Sequence, residues 1–109
     1  MLRIYAVALD WIEKLESLIT RIARADRELA MQLRRSSASV VLNLAEGMGA
    51  RGGHRTNAYG ISMREMRESY AALQVAWRRK LIGALDTALE DQCQRLIGTL
   101  VRLVVPQRR

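Results

Sequence analysis

Apolar side chains recur along most of the chain at the three- and four-residue spacing that places them on one face of an α-helix. In residues 3–24 this pattern is formed by Ile4, Val7, Trp11, Leu15, Leu18 and Ile22. In residues 27–50 it is formed by Leu29, Leu33, Ser37, Val40, Leu44 and Met48. Asp26 lies between the two segments and is a candidate N-cap, because its carboxylate can accept from the free amide groups of the second helix.

Two further segments show the same periodicity. In residues 56–82 it is formed by Tyr59, Met63, Met66, Tyr70, Leu73, Trp77 and Leu81. In residues 86–105 it is formed, with the preceding Leu85, by Leu89, Cys93, Leu96, Leu100 and Leu103. We expect Thr56 or Asn57 to cap the third helix and Asp86 to cap the fourth. Gly83 should interrupt the third pattern, and Pro106 should end the fourth helix.

The joints between these segments are short, apart from a glycine-rich stretch from Gly47 to Gly53 that predicts a flexible turn. The chain has one proline and no phenylalanine, and it is rich in residues that favour helices. Amphipathic helices joined in this way pack most simply side by side with alternating direction. The sequence therefore predicts an all-α protein, an antiparallel up-down-up-down four-helix bundle that forms a single domain over residues 1–109.

The sequence carries little that suggests catalysis. Cys93 and His54 are the only residues of their kinds, so neither a disulfide nor a zinc site can be assembled from them. We recognise no catalytic triad, phosphate-binding glycine loop or helical metal-ligand pair. We therefore expect a protein that is not an enzyme, with no metal, cofactor or small-molecule substrate. We also expect no cleaved secretory signal, no membrane span and a cytoplasmic location.

The net charge of +7 is unevenly distributed along the chain. Residues 51–82 hold seven basic and only two acidic residues. Arg51 and Arg55 should lie at one end of an antiparallel third helix, and Arg78, Arg79 and Lys80 at the other. Such clusters suit the phosphates of a nucleic acid, which they would contact without recognising sequence. They are equally compatible with an ordinary solvated surface.

A second stripe runs along the second helix beside its apolar face. It consists of Ser36, Ser39, Asn43 and Glu46, and Arg35 lies just beyond it. One interpretation is an ordinary boundary between core and solvent. The other is a buried polar seam that pairs with another helix or another subunit, where Arg35, Arg51 or Arg64 would balance the carboxylate. If the second holds, Glu46→Ala should preserve helix content and change the assembly seen by light scattering.

The run from Gln32 to Gly47 resembles the signature of a bacterial family of four-helix bundle proteins. This family includes proteins encoded in 23S rRNA intervening sequences and the accessory variability determinant of diversity-generating retroelements. The residues that match the signature position by position are Ser39, Asn43, Ala45, Glu46 and Gly47. The third helix matches more loosely, through Glu68, Leu73 and Ala76, and it has Arg64 and Glu65 where the family usually has Gly-Ser.

The resemblance implies an antiparallel four-helix bundle and, for several relatives, a homo-oligomer in the form of a pentamer. It also implies no enzymatic activity. The retroelement relatives bind a reverse transcriptase and nucleic acid. On this basis Glu68 joins Arg35, Ser39, Asn43, Glu46 and Gly47 as a candidate for the oligomer contact.

Two hypotheses for function remain. The first is a self-associating adaptor that binds nucleic acid or a nucleic-acid-processing protein such as a reverse transcriptase. The second is a purely structural or protein-partner module. Its contact surface would consist of apolar residues outside the core stripes, namely Leu9, Ile12, Ile19 and Val41.

Overall fold

In the computed structural model, which describes residues 2–104, the chain forms four helices. Their bounds are α1 Arg3–Ala23, α2 Arg27–Gly49, α3 Gly52–Arg78 and α4 Thr87–Val104. Each helix packs against the next one in the chain, and α4 closes the arrangement against α1. The predicted all-α antiparallel four-helix bundle is confirmed. At a rise of about 1.5 Å per residue α3 is roughly 40 Å long, and the whole bundle measures 46 × 25 × 21 Å.

The core runs along the centre of the bundle and is built largely from the predicted apolar stripes. Its largest fully buried side chains include Trp11, Leu15, Ile22, Leu33, Leu44, Met66, Leu73, Leu96 and Leu100. Each helix supplies at least two of them, so burial of one shared apolar interior holds the four helices together. No helix within residues 2–104 combines the length and the apolar character that crossing a membrane would need.

The interface between α2 and α3 is the closest in the bundle, and small residues make it so. The hydroxyl oxygens of Ser36 and Ser69 lie 2.7 Å apart across it, and both side chains are buried. Ser62 is also buried and donates to the Val40 carbonyl oxygen at 2.8 Å. Buried hydroxyls are tolerated because each has a hydrogen-bond partner. This small-residue face is invisible to a search for large apolar side chains.

The joint between α2 and α3 is shorter than predicted. α2 ends at Gly49, next to its expected end at residue 50, whereas α3 begins at Gly52 and not near residue 56. Only Ala50 and Arg51 therefore remain outside the helices in the stretch from Gly47 to Gly53 that was expected to be flexible. Gly52 has a φ of +54°, a left-handed conformation that glycine adopts without steric cost and that lets the chain reverse quickly. Thr56 lies inside α3, where its hydroxyl donates to the Gly52 carbonyl oxygen. It is therefore not the predicted cap.

The third helix also ends earlier than predicted, at Arg78 and not near residue 82. The amide of Leu81 donates to the Ala76 carbonyl oxygen and that of Lys80 to the Trp77 carbonyl oxygen, both at 2.9 Å. Lys80 has a φ of +65°. This is the hydrogen-bond pattern that usually ends a helix at a glycine. A lysine in the left-handed position hides that signal in the sequence.

The two aspartate caps are confirmed. An Asp26 carboxylate oxygen accepts from the amide of Leu29 at 3.0 Å, at the start of α2. Asp86 accepts from the amide of Leu89 at 2.8 Å, at the start of α4. The predicted last residue of the fourth helix, 105, and the stop at Pro106 lie outside the described residues.

Three exposure predictions are wrong. Ile19 and Val41 were expected on the surface but are 5% and 8% exposed, respectively, and belong to the core. Trp77 was expected in the core but is 41% exposed. On α3 the small residues that face α2 take the inward positions. The helix is therefore oriented so that Trp77 points toward solvent.

Candidate functional site

The strongest concentration of positive charge lies at the end of the bundle where α1 and α3 finish and α2 begins. We call this surface the basic end. It consists of Arg21, Arg24, Arg27, Arg78, Arg79 and Lys80, all exposed. Arg79 reaches Asp26 in the α1–α2 turn at 3.7 Å, and Arg21 lines one cleft with Asp86 of the α3–α4 joint. These contacts show that the end unites charges from several helices.

Two carboxylates beside the basic end also cap helices. Asp26 and Asp86 cap α2 and α4 through the hydrogen bonds described above. A carboxylate at a helix N-terminus interacts favourably with the partial positive charge there. The six exposed cations outnumber these two carboxylates, so the basic end keeps an excess of positive charge for an acidic partner. The bundle cross-section of 25 × 21 Å keeps these cations on one compact surface.

At the opposite end the predicted cations Arg51 and Arg55 differ from each other. Nε of Arg55 donates to the carbonyl oxygens of Gly47 and Ala50, at 3.2 and 2.9 Å. These carbonyl oxygens lie at the C-terminal end of α2, a helix whose last turn contains no basic residue. Arg55 therefore stabilises the turn. Arg51 is exposed and has no side-chain capping hydrogen bond.

The polar stripe of α2 passes from the interior to the surface. Ser36 is buried, Ser39 and Asn43 are half-buried, and Glu46 and Arg35 are exposed. Nδ2 of Asn43 donates to the backbone oxygen and to the hydroxyl of Ser39, each at 3.0 Å. Within one chain the stripe is thus a boundary between core and solvent. A seam buried by another subunit stays a prediction.

The other two candidates for the oligomer contact lie in different surroundings. Glu68 is exposed on α3, next to the buried Ser69 that meets Ser36 of α2. Gly47 is buried against the ring of Tyr59, which occupies the space that a Cβ atom at this position would need. The packing of α2 on α3 therefore accounts for a glycine at position 47.

Sequence patterns did not reveal that the outer face of α2 also carries large apolar side chains. Met31 and Leu42 are 62% and 68% exposed. With Arg35, Ser39 and Glu46 they follow steps of four, four, three and four residues, which is one stripe of a helix. We call this stripe the outer face of α2. Apolar residues interleaved with both charges suit a contact between proteins.

The described residues do not assemble a metal site, since no group of three or more His, Cys, Asp or Glu side chains is found among residues 2–104. His54 is exposed at the start of α3. Cys93 is buried in the core, and burial raises its thiol pKa to about 11. A thiol with so high a pKa holds little of the nucleophilic thiolate at neutral pH.

Comparison with protein families identifies one family that matches the chain. The model of the family described as 23S rRNA-intervening sequence protein matches residues 1–102. The chain belongs to this family. The resemblance noted in the second helix is thereby confirmed over nearly the whole chain, and the residues of that motif can be interpreted within one shared fold.

A solved structure of another protein supports the architecture. It is a protein with unknown function from the S23 ribosomal protein family of Bacteroides thetaiotaomicron, with a TM-score of 0.82 and 17% sequence identity. The match covers 94% of this chain and 99% of that one. No protein of the curated set matches the chain. At this identity the similarity establishes the fold, and it assigns neither an activity nor a partner.

Two groups of surface residues escaped the sequence patterns. Arg21, Arg24 and Arg27 were not assigned to any patch, although the predicted up-down topology already implies that the end of α1 meets the end of α3. Trp77 was assigned to the core by its spacing. Only the packed bundle shows that it borders the basic end.

Proposed function

We propose that this protein is a non-enzymatic, self-associating adaptor of the cytoplasm that binds the backbone of a nucleic acid. A nucleic-acid-processing protein such as a reverse transcriptase is the partner that it would bring to that nucleic acid. The observation that carries the proposal is the basic end, where six exposed cations from three helix ends and the turns beside them share one surface.

The chemistry of the basic end suits phosphate contacts more than base recognition in a groove. Its arginines lie at helix ends and in turns, so no continuous helix face presents them to a major groove. Arginine and lysine contacts to phosphate release counterions, and the affinity then falls steeply with salt. Repetition of the basic end in an oligomer would strengthen such contacts through avidity.

The test for nucleic-acid binding is a salt titration with a short duplex RNA. The affinity should fall as salt rises, and the triple variant Arg24→Gln, Arg27→Gln, Arg78→Gln should lower the slope of log K against log salt by about one for each lost phosphate contact. A variant with three neutralised arginines elsewhere, Arg64→Gln, Arg67→Gln, Arg95→Gln, is the matched control. Absence of binding at low salt, or equal losses for both variants, would contradict the proposal.

We propose that self-association uses the outer face of α2. Its exposed Met31 and Leu42 supply apolar area, and Arg35 and Glu46 supply charges of opposite sign, so two copies can complement each other. Glu68 lies on α3 near the level of Arg35, as the contact between Ser36 and Ser69 indicates. A closed ring of five subunits is the assembly that the family resemblance suggests.

Light scattering tests this assembly. Leu42→Glu should place a charge in the subunit contact and shift the particle mass toward that of one chain, whereas Glu46→Ala should alter the assembly more mildly. Helix content by circular dichroism should stay unchanged in both, because neither side chain is buried within the chain. Leu9→Glu, at a leucine of α1 that is 44% exposed against 68% for Leu42, is the control. A single-chain mass for the unmodified protein would refute self-association.

The alternative of a purely structural or protein-partner module requires a surface of exposed apolar residues. Most of the four residues expected to form that surface are not exposed. Ile19 and Val41 are buried and Ile12 is half-buried, so Leu9 alone of the expected set is exposed. A protein-partner module would have to use other exposed apolar side chains, such as Met31 and Leu42.

A further inference from the structure

A small pocket with aromatic walls opens beside the basic end, between the last turns of α3 and the start of α4. Its volume is about 130 Å³, and its walls include Tyr70, Gln74, Trp77, Leu85 and Glu90. This is well below the roughly 300–1,000 Å³ of sites for drug-sized ligands. The pocket has room for a single flat group.

The tryptophan of this pocket is unusual for its exposure. Trp77 is 41% exposed, whereas the other tryptophan of the chain, Trp11, is fully buried. The guanidinium carbon of Arg78 lies 4.8 Å from the centre of the Trp77 ring. Arg78 covers one face of the ring. The ring also lines the pocket. Aromatic rings next to cations are the common platform on which proteins stack the bases of single strands.

The chemistry inside the pocket differs from that of the surface around it. The Tyr70 hydroxyl donates to Oε2 of Glu90 at 2.6 Å, and Nε2 of Gln94 donates to the same oxygen at 2.9 Å. The hydrogen bond to Glu90 raises the pKa of Tyr70, so the phenol stays protonated as a donor. A carboxylate in the wall repels a phosphate and accepts hydrogen bonds from the N–H groups of a base. Phosphates belong outside, on Arg78, Arg79 and Lys80.

We propose that the pocket bounded by Trp77, Tyr70 and Glu90 holds one unpaired base of a single-stranded nucleic acid whose phosphates lie on the basic end. The base stacks on the part of the Trp77 ring that lines the pocket. A base inside a duplex cannot enter, because it is stacked and paired. The inference rests on the proposed function and adds to it the class of nucleic acid, namely a single strand or a strand with an unpaired end.

Tryptophan fluorescence and a pair of RNA probes test this inference. A single-stranded RNA should quench the emission of the unmodified protein, and Trp77→Leu should lower the affinity for that strand by about tenfold, the loss of roughly one stacked base. The affinity for a blunt duplex RNA should change less than about twofold, since only phosphates are bound there. Val75→Ala, at an exposed site on the same helix, is the matched control and should affect neither probe.

Two additional measurements separate stacking from charge. Trp77→Phe should retain most of the single-strand affinity, because a phenyl ring also stacks. Inorganic polyphosphate should compete for the basic end without quenching Trp77, because it carries no base.

The outcomes are distinct. If the duplex binds with the expected salt dependence but Trp77→Leu weakens both probes equally or not at all, base stacking is wrong and the phosphate-binding function stands. If neither probe binds at low salt, the proposed function fails and the stacking inference fails with it. Quenching by polyphosphate as strong as that by RNA would likewise overturn the stacking inference.

Discussion

The two ends of the bundle both carry positive charge but use it differently. At the α2–α3 turn, Arg55 is held by the carbonyl oxygens of Gly47 and Ala50. At the basic end, the arginines are exposed, and the one ion pair found there, between Arg79 and Asp26, is 3.7 Å long. A cation that donates to the carbonyl oxygens of a helix end stabilises the fold, whereas one without such a role is free to meet a partner. Charge density alone does not distinguish them.

The largest expected effect on stability is at Gly47, at the end of the bundle that holds the α2–α3 turn. Gly47→Ala places a methyl group where the Tyr59 ring lies, and the tight α2–α3 packing leaves little room for relaxation. Overpacking of this kind should cost about 2–3 kcal/mol, and the thermal midpoint should fall by roughly 10 °C. Calorimetry or thermal circular dichroism measures the change.

The control for this prediction is Gly49→Ala, where nothing lies within 4 Å of the added carbon. It should leave stability unchanged or raise it by up to about 1 kcal/mol, as alanine favours helix more than glycine. In a Tyr59→Ala background, Gly47→Ala should lose most of its cost, since the ring it meets is gone. An equal cost in both backgrounds would show that the Tyr59 contact is not the cause.

The second prediction, also at the α2–α3 turn, compares the contributions of Arg55 and Arg51 to stability. Arg55→Gln removes the charged donor to two carbonyl oxygens and should lower the free energy of unfolding by about 1–2 kcal/mol. Arg51→Gln changes the net charge equally but removes no capping contact, and it should change stability by less than about 0.5 kcal/mol. Urea denaturation compares the two midpoints. Equal losses would mean that charge, and not the capping bonds, stabilises this end.

The sequence predicted the architecture well because its signals were local. The apolar repeats identified four helices, and Asp26 and Asp86 marked two helix starts that the hydrogen bonds confirm. The prediction of a helix end failed where the usual residue was replaced by another. Lys80 ends α3 in a conformation normally reserved for glycine, so the helix looked four residues longer.

The candidate site was harder to predict because it depends on which residues the fold brings together. The cluster of Arg78, Arg79 and Lys80 was visible along the chain, yet its union with Arg24 and Arg27 requires the packed helix ends. Likewise, the spacing of Trp77 matches the apolar stripe, and only the small residues of the α2–α3 interface turn it outward. Periodicity reports the faces of a helix, and the tertiary packing decides which face is inside.

The third prediction concerns the helix end at Lys80. Lys80→Gly should relieve the left-handed backbone conformation at φ +65° and raise the free energy of unfolding by about 0.5–1 kcal/mol. Lys80→Ala removes the same charge but keeps a Cβ atom, so its stability should match that of the unmodified protein. Denaturant midpoints for the two variants make the comparison. A gain with alanine as large as with glycine would show that the lysine charge, and not the backbone, is unfavourable.

The smallest effect on stability should come from Arg79, and it completes the comparison of the two ends. Its ion pair with Asp26 is long, and the two side chains are 68% and 29% exposed. Such pairs contribute about 0–1 kcal/mol, so Arg79→Gln should shift the unfolding midpoint only slightly. The same variant should weaken binding of duplex RNA and reduce its salt dependence. Arg55→Gln, in contrast, should lower stability more than it lowers RNA affinity. If Arg79→Gln costs as much stability as Arg55→Gln and leaves RNA affinity intact, the two ends do not divide structural from binding cations.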